Sequence, residues 1–209
     1  MVEIIPAINA ESFEEVKEKT MQIEAHAKWV HIDIADGTFT TNTLWHEPRD
    51  LAGLKTKLKI EVHLMLADMD LRWPDWILPN VSRVIFHLEG AHDPAFVIKK
   101  IKEAGKKVGL AIRPETPWQH AEPYLKHVDL IQTLAVVPGE AGQEFRPEIL
   151  DKISHLRASH SEAIIEVDGG INPKTAIQCI YAGANILVSA SYIFNSDNIK
   201  KAIEELTNL

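Results

Sequence analysis

The sequence predicts an α/β protein that forms one closed (β/α)8 barrel, a TIM barrel, in a single domain over residues 1–209. Short apolar runs alternate with longer amphipathic stretches along the whole chain, and there are eight such runs, the number that closes a parallel barrel. The rival is a doubly wound open sheet, which often has a glycine-rich first turn. The first turn here, Asn9-Ala10-Glu11-Ser12, contains no glycine, which favours the barrel.

Each apolar run is interpreted as a strand, and each stretch between runs as helix-like. Ser12 with Glu15 has the pattern of a helix N-terminus, while Asp93-Pro94 begins a second helix that Gly105 ends. The predicted strands are Ile4–Ile8, Trp29–Asp33, Leu58–Leu64, Arg83–His87, Lys107–Ile112, Leu130–Val136, Ala163–Val167 and Ile186–Ser189.

Composition limits the function classes. The net charge of −8 disfavours a general binder of nucleic acid or of an anionic membrane, since both would repel the chain. We see neither a signal peptide nor an apolar run long enough to cross a membrane, so a cytoplasmic location is expected. The single cysteine, Cys179, lies in an apolar pattern and is interpreted as a small buried thiol.

Four side chains suited to binding a metal come near the ends of predicted strands two, three and seven. His31 and Asp33 alternate in one strand, so both side chains point to the same face, and His63 and Asp168 lie at the ends of two others. Strand ends meet at one opening of a barrel, where active sites lie. Each residue alone could be structural, but the four together indicate a divalent-metal site.

A second group of residues is typical of phosphate binding. Gly169-Gly170 follows strand seven and precedes a helix, while Ala190-Ser191 follows strand eight. The loops after these two strands are the usual phosphate-binding place in such barrels, although a glycine pair alone could simply form a tight turn.

With these residues the sequence resembles the ribulose-phosphate 3-epimerase family, (β/α)8 barrels that invert a carbinol carbon of a ketose phosphate. The order and spacing of the matching motifs agree along nearly the whole chain. They are His31–Asn42, Val62–Met65, Phe86–Glu89, Gly105–Ala111, Val137–Gly139 with Gly142–Phe145, Val167–Ile171 and Ala182–Ala184.

The resemblance implies specific roles. His31, Asp33, His63 and Asp168 would bind one divalent metal, and Asp33 and Asp168 would also be the catalytic acid–base pair. Two His and two carboxylates suit Zn, Fe(II), Mn or Co. The substrate would be a phosphorylated ketose, and a homo-oligomer is expected. The implied substrate- and phosphate-binding residues are Asn9, Met65, Gly142, Gly169, Gly170, Ala190 and Ser191.

The sequence departs from the family pattern around the substrate rather than around the metal. The usual serine is replaced by Ala7, and Asn9 is either a substitute hydrogen-bond donor or a polar loop residue. A methionine is replaced by Ala35, which removes bulk beside the metal. Further departures are Thr40-Thr41 for Val-Pro, Glu140-Ala141 in the loop after strand six, and Ala190 in the Gly-Ser end of strand eight.

Several neighbouring residues keep two interpretations. Arg113 is either a compensating cation for phosphate or a solvated charge, and Trp45-His46 either covers the site or packs against the barrel rim. For His87 and His92 we favour structural roles over metal binding.

Our leading hypothesis is a metal-dependent 3-epimerase that interconverts D-ribulose 5-phosphate and D-xylulose 5-phosphate through an enediolate. One alternative is an epimerase of a hexulose phosphate such as allulose 6-phosphate. Another is a non-catalytic member that binds a metal and a sugar phosphate. Related decarboxylases and aldolases would carry Asp-x-Lys-x-x-Asp near strand three, which Lys59–Met65 lacks.

Overall fold

A closed barrel of eight parallel strands forms the centre of the computed structural model, which describes residues 2–139 and 142–209. Every strand pairs with the next one along the chain, and β8 closes the barrel on β1. The predicted fold class is therefore confirmed. The strands are β1 Glu3–Ile8, β2 Trp29–Ala35, β3 Lys59–Met65, β4 Val81–His87, β5 Lys107–Ile112, β6 Leu130–Leu134, β7 Ile165–Asp168 and β8 Ile186–Ser189.

The helices around the barrel are unequal in length. They are α1 Phe13–Ile23, α2 Pro48–Leu51, α3 Met69–Arg72, α4 Pro94–Glu103, α5 Ile149–Ser159, α6 Pro173–Ala182, α7 Ser191–Phe194 and α8 Ile199–Thr207. The expectation of a helix in every repeat is wrong between β5 and β6, where the fully described residues 113–129 contain only short 3-10 turns. Pro114, Pro117 and Pro123 explain this, because proline removes a hydrogen-bond donor and clashes with the preceding helical turn.

The predicted helix ends are confirmed. The Ser12 side chain accepts a hydrogen bond from the backbone N–H of Glu15, and Asp93 accepts one from the N–H of Phe96. Gly105 follows α4 with φ of 77°, a left-handed conformation that glycine adopts without strain.

Apolar residues form two layers. The larger lies between the barrel and its helices and includes Cys179, whose burial raises the pKa of the thiol to about 12. The smaller lies inside the barrel, where Ile5, Ala7, Ile85 and Val188 contribute side chains. Among the described residues, no helix is long and apolar enough to span a membrane.

The interior of the barrel also contains a buried polar network, which lies directly beneath the candidate site. Glu61, Arg83, Gln132 and Glu166 are at most 6% exposed. Arg83 pairs with Glu61, and its Nη1 lies 3.5 Å from Glu166 Oε2. Burial, followed by the charge of Glu61, raises the pKa of Glu166 well above its ordinary value.

Candidate metal centre and active site

The four predicted metal ligands meet at the carboxyl end of the barrel. Strand register places Asp33 beside His63 on β2 and β3, and β7 ends at Asp168. One ligand atom from each of His31, Asp33, His63 and Asp168 lies within 4.8 Å of all the others. The strand alternation and the barrel closure that the sequence predicts are sufficient to bring these residues together.

His31 presents a free nitrogen to this cluster. Its Nδ1 lies 2.8 Å from Glu61 Oε1, while its Nε2 is buried without a hydrogen-bond partner among the described residues. The nearest ligand atom to Nε2 is Asp33 Oδ1, at 3.3 Å. An unpartnered buried imidazole nitrogen beside two carboxylates fits a bound divalent cation, because leaving such a nitrogen unsatisfied is costly. The four side chains therefore could hold a metal.

His63 faces the same cluster through its other ring nitrogen. Its Nδ1 lies 3.0 Å from Asp33 Oδ1 and 3.6 Å from Asp168 Oδ2. Its Nε2 points away, 3.0 Å from His87 Nε2, and His87 Nδ1 lies 3.2 Å from Glu89 Oε2. The two histidines of the cluster thus use different nitrogens toward its centre.

The contacts of Glu61 with His31, of His87 with His63 and of Glu89 with His87 were not predicted from the sequence. Glu61 is in phase with His63 along β3, which is a signal that both side chains enter the barrel. His87 ends β4, and its approach to His63 depends on side-chain directions between strands. The motif Phe86–Glu89 was noted for its resemblance to the family, but its contacts could not be read from spacing.

The two carboxyl groups of the cluster differ in proton affinity. Burial alone would raise the pKa of Asp33, but the adjacent imidazoles of His31 and His63 outweigh it and hold that pKa well below its ordinary value. Burial, followed by the charge of Asp33, raises the pKa of Asp168 to about 6. One carboxyl is thus a stable carboxylate, while the other can hold a proton near neutral pH.

Every predicted substrate-binding residue lines one cavity above the cluster, together with Asp33, His63 and Asp168. His31 lies beneath it, fully buried. The predicted residues that line it are Asn9, Met65, Gly142, Gly169, Gly170, Ala190 and Ser191. Two of the three predicted glycines can hardly be replaced there. A Cβ on Gly169 would lie 2.5 Å from Val136 Cγ2, and one on Gly170 would lie 2.8 Å from the Phe145 Cα.

Two of the positions that depart from the family pattern make defined contacts in the structure. Asn9 donates from Nδ2 to the carbonyl oxygen of Gly139, 2.9 Å away, which ties the end of β1 to the loop after β6. Ala35 is buried against Leu44 and Met65. The expectations for Glu140 and Ala141 lie outside the described residues.

The structure also shows the surroundings of the flanking residues for which the sequence left two interpretations. The Arg113 guanidinium lies 3.9 Å from the ring centroid of Phe39 and donates to the Phe39 carbonyl oxygen. Trp45 is buried, with its ring 5.2 Å from that of Phe13, which agrees with packing at the rim. His92 is exposed and lies beside Asp68.

Comparisons with known proteins identify the family. A sequence model described as the Ribulose-phosphate 3 epimerase family matches residues 3–194. The chain belongs to this family. It is 35% identical over 213 residues to the ribulose-phosphate 3-epimerase of Synechocystis sp., covering 98% of this chain and 93% of that enzyme. It is 33% identical to the Bacillus subtilis enzyme, covering 99% and 98%. This epimerase-family chain is accordingly an isomerase that acts on a carbohydrate.

Solved structures with low sequence identity share the fold of this family member. A 3-hexulose-6-phosphate synthase superposes with a TM-score of 0.74 at 15% identity, covering 99% of both chains. A KGPDC from Streptococcus mutans superposes with a TM-score of 0.75 at 12% identity, covering 99% of this chain and 96% of that one. At these identities the likeness establishes the barrel architecture alone.

Proposed function

We propose that the protein interconverts D-ribulose 5-phosphate and D-xylulose 5-phosphate by moving a proton at carbon 3. The observation that carries this proposal is the pair Asp33 and Asp168, which belong to one cluster and line one cavity from different strands. Epimerisation needs a base on one side of the reacting carbon and an acid on the other, and such a pair supplies both. The names of the related enzymes agree with this reaction.

His31, Asp33, His63 and Asp168 would hold one divalent metal ion, with Zn, Fe(II), Mn and Co as candidates. When bound, such an ion stabilises the negative charge that develops on the substrate oxygens. The donor set fits this assignment, since His31 Nε2 lacks another partner among the described residues and both carboxyl groups are close.

The chain's own residues position the substrate and move the proton. Asp33 and Asp168 line the cavity on different strands, so a planar enediolate bound between them would present one face to each. One carboxylate removes the proton from carbon 3, and the other carboxylic acid delivers a proton to the opposite face. Met65 is 2% exposed and covers the same space with an apolar side chain that restricts access of water.

The phosphate would bind at the loops after β7 and β8. Gly169 and Gly170 bring backbone close to the cavity without a side chain, and Ser191 lines it from the other loop. Backbone N–H groups of glycine-rich turns suit a phosphate dianion. Gly142 would complete this group from the loop after β6.

A pentulose phosphate is preferred over a hexulose phosphate. Ala35, which replaces a methionine, does not line the cavity; it packs against Leu44 and against Met65, which does line it. Ala7 borders an adjoining space with Lys19 and Asn195 rather than the main cavity. Neither departure contributes a lining residue to the main cavity, so neither favours a longer substrate over the pentulose phosphate.

The decisive experiment is proton exchange in D₂O followed by NMR, with ribulose 5-phosphate and protein loaded with Zn²⁺, Mn²⁺ or Fe²⁺. We expect deuterium at carbon 3 together with the appearance of xylulose 5-phosphate. Asp33→Asn and Asp168→Asn should each slow epimerisation by about 10²- to 10⁴-fold, the usual contribution of an acid or base.

Asp36→Asn is the matched control, because the Asp36 carboxylate is directed to Arg72 and Thr38 rather than into the cluster. It should retain most of the exchange. Metal binding without exchange on ribulose 5-phosphate would overturn the assignment of substrate. Proton exchange on allulose 6-phosphate would then support the hexulose alternative. The absence of exchange on both sugar phosphates would support a non-catalytic binding protein.

A further inference from the structure

We propose that His87 and Glu89 are positioning residues that direct the Nδ1 lone pair of His63 into the metal site. This inference rests on the metal site of the proposed function. It assigns a role to two side chains that are not among the described residues lining the cavity. The relay, as we call it, consists of Glu89, His87 and His63, joined by two hydrogen bonds.

The two histidines of the relay are buried, and Glu89 lies at its outer end with 23% of its side chain accessible. His87 is fully buried, and its ring centroid lies 5.0 Å from that of His63 and 4.6 Å from that of Phe39. The Arg113 guanidinium covers the other face of this stack above Phe39. These contacts restrict the ring plane of His87, and within that plane Nε2 faces His63 and Nδ1 faces Glu89.

The direction of each hydrogen bond follows from the acceptor at the end of the relay. Glu89 Oε1 accepts from the Arg113 backbone N–H at 2.9 Å and from the Thr116 hydroxyl. Its Oε2 lies 3.2 Å from His87 Nδ1, so that nitrogen must donate, because a carboxylate can only accept. A neutral His87 then has its lone pair on Nε2.

The same logic extends to His63. Since His87 Nε2 accepts, His63 must donate from Nε2, which is 3.0 Å away. In the metal-loaded protein the lone pair of His63 is then on Nδ1, the nitrogen that lies near Asp33 and Asp168; without a metal, Asp33 Oδ1, 3.0 Å away, would instead require Nδ1 to donate. Glu61 orients His31 in the same way, through a direct contact with its Nδ1. Each metal-binding histidine is thus oriented by a carboxylate, His31 directly by Glu61 and His63 by Glu89 through His87.

The test is Glu89→Gln, which can replace the carboxylate oxygen facing His87 Nδ1 with an amide group that donates instead of accepting. The amide oxygen is expected to face the two fixed donors from Arg113 and Thr116, which places the amide N–H₂ against His87 Nδ1. His87 would then be protonated on Nε2 and oppose the Nε2–H of His63. We expect about 10- to 100-fold weaker Zn²⁺ binding, measured by competition with a chromophoric chelator.

Nitrogen-15 NMR of the Zn²⁺-loaded protein supplies the second measurement. In the wild type His87 should be protonated on Nδ1, and in Glu89→Gln the proton should move to Nε2. Thr116→Val is the control, because it removes one donor to Glu89 but retains the carboxylate. It should leave the protonated nitrogen of His87 and the Zn²⁺ affinity as in the wild type. A merely structural role of Glu89 would lower Tm without moving this proton.

Equal Zn²⁺ affinity of Glu89→Gln and wild type, with His87 still protonated on Nδ1, would overturn the relay and leave the proposed function standing. A wild type that binds no Zn²⁺ would instead overturn the metal site, and the relay with it. If Glu89→Gln does not fold, His87→Phe provides the same test. It removes the acceptor for His63 while keeping a ring against Phe39, and it should weaken Zn²⁺ binding to a similar extent.

Discussion

Single residues in the proposed phosphate loop differ in how strongly the structure demands glycine. Gly170 and Gly142 both have positive φ, of 64° and 80°. A Cβ on Gly170 would meet backbone atoms of Phe145 at 2.8 and 2.9 Å, whereas a Cβ on Gly142 would meet no atom of the described residues within 4 Å. The two positions therefore share a left-handed backbone conformation, but only at Gly170 would a Cβ clash with backbone atoms.

We expect Gly170→Ala to raise KM for the sugar phosphate and to lower stability by more than Gly142→Ala. The latter should lose only about 1 kcal/mol, the strain of a left-handed alanine. Gly170→Ala adds a steric conflict that must displace the backbone of Phe145. Thermal unfolding and steady-state kinetics of the two variants provide the comparison. Similar values for both would show that the contact with Phe145 is not a constraint.

For single residues, the sequence predicted which side chains form the metal site but not which hydrogen-bond partners they have. The grouping of His31 and Asp33 follows from strand alternation, which every residue of β2 obeys. The relay through His87 could not be predicted, because it depends on rotamers of side chains on β3 and β4. Likewise, the packing of Ala35 against Leu44 depends on how the loop after β2 returns to the barrel.

Among the elements, α6 connects local helix capping to the proposed phosphate site. The Asn172 side chain accepts from the N–H groups of Lys174 and Thr175, and the Thr175 hydroxyl accepts from the N–H of Asn172. Thr175 also contacts the carbonyl oxygen of Gly170. The cap that begins the helix is thus attached to the loop that lines the cavity.

Asn172→Ala is expected to lower stability by about 1 kcal/mol, the usual contribution of an N-cap. It should also raise KM, because the Gly170 loop loses the contact of Asn172 Nδ2 with the Gly170 carbonyl oxygen, 3.4 Å away. Asn198→Ala is the matched control. Asn198 caps α8 by accepting from the N–H of Lys201, and no described cavity is lined by it. The control should show a similar loss of stability in denaturant unfolding with an unchanged KM. A KM that rises equally in both variants would argue against a role of the contact between Asn172 and Gly170.

The strands were more predictable than the connections between them. Apolar runs give strand positions to within a few residues, since a strand buried on both faces is apolar throughout. The short helices α2 and α3 and the 3-10 turns between β5 and β6 follow from local proline and from tertiary packing. Pattern length alone does not distinguish such segments from full helices.

At the scale of the whole molecule, barrel closure is what makes one site from distant segments. Eight strands predict closure, and closure places β2, β3 and β7 around one opening. The polar interior beneath the site is less predictable, because each of its charged residues would ordinarily be assigned to the surface. Glu61 and Arg83 are buried as an ion pair, and Arg83 Nη1 also lies 3.5 Å from Glu166 Oε2.

Arg83 is expected to be the most important member of this network for global stability. It pairs with Glu61, which also orients His31, and its guanidinium lies 4.4 Å from the ring centroid of Trp29. Arg83→Met keeps an unbranched side chain beside Trp29 but leaves Glu61 buried without its cation. Removing one partner of a buried pair typically destabilises a protein by about 3–5 kcal/mol.

Arg72→Met provides the comparison for this prediction, because Arg72 pairs with Asp36 at a more exposed position, where its side chain is 33% accessible. We expect that variant to lose at most about 1 kcal/mol. Urea unfolding of both variants measures the difference directly. Equal losses would mean that the interior network tolerates an unpaired Glu61. Binding of Zn²⁺ to Arg83→Met would then report whether Glu61 still orients His31.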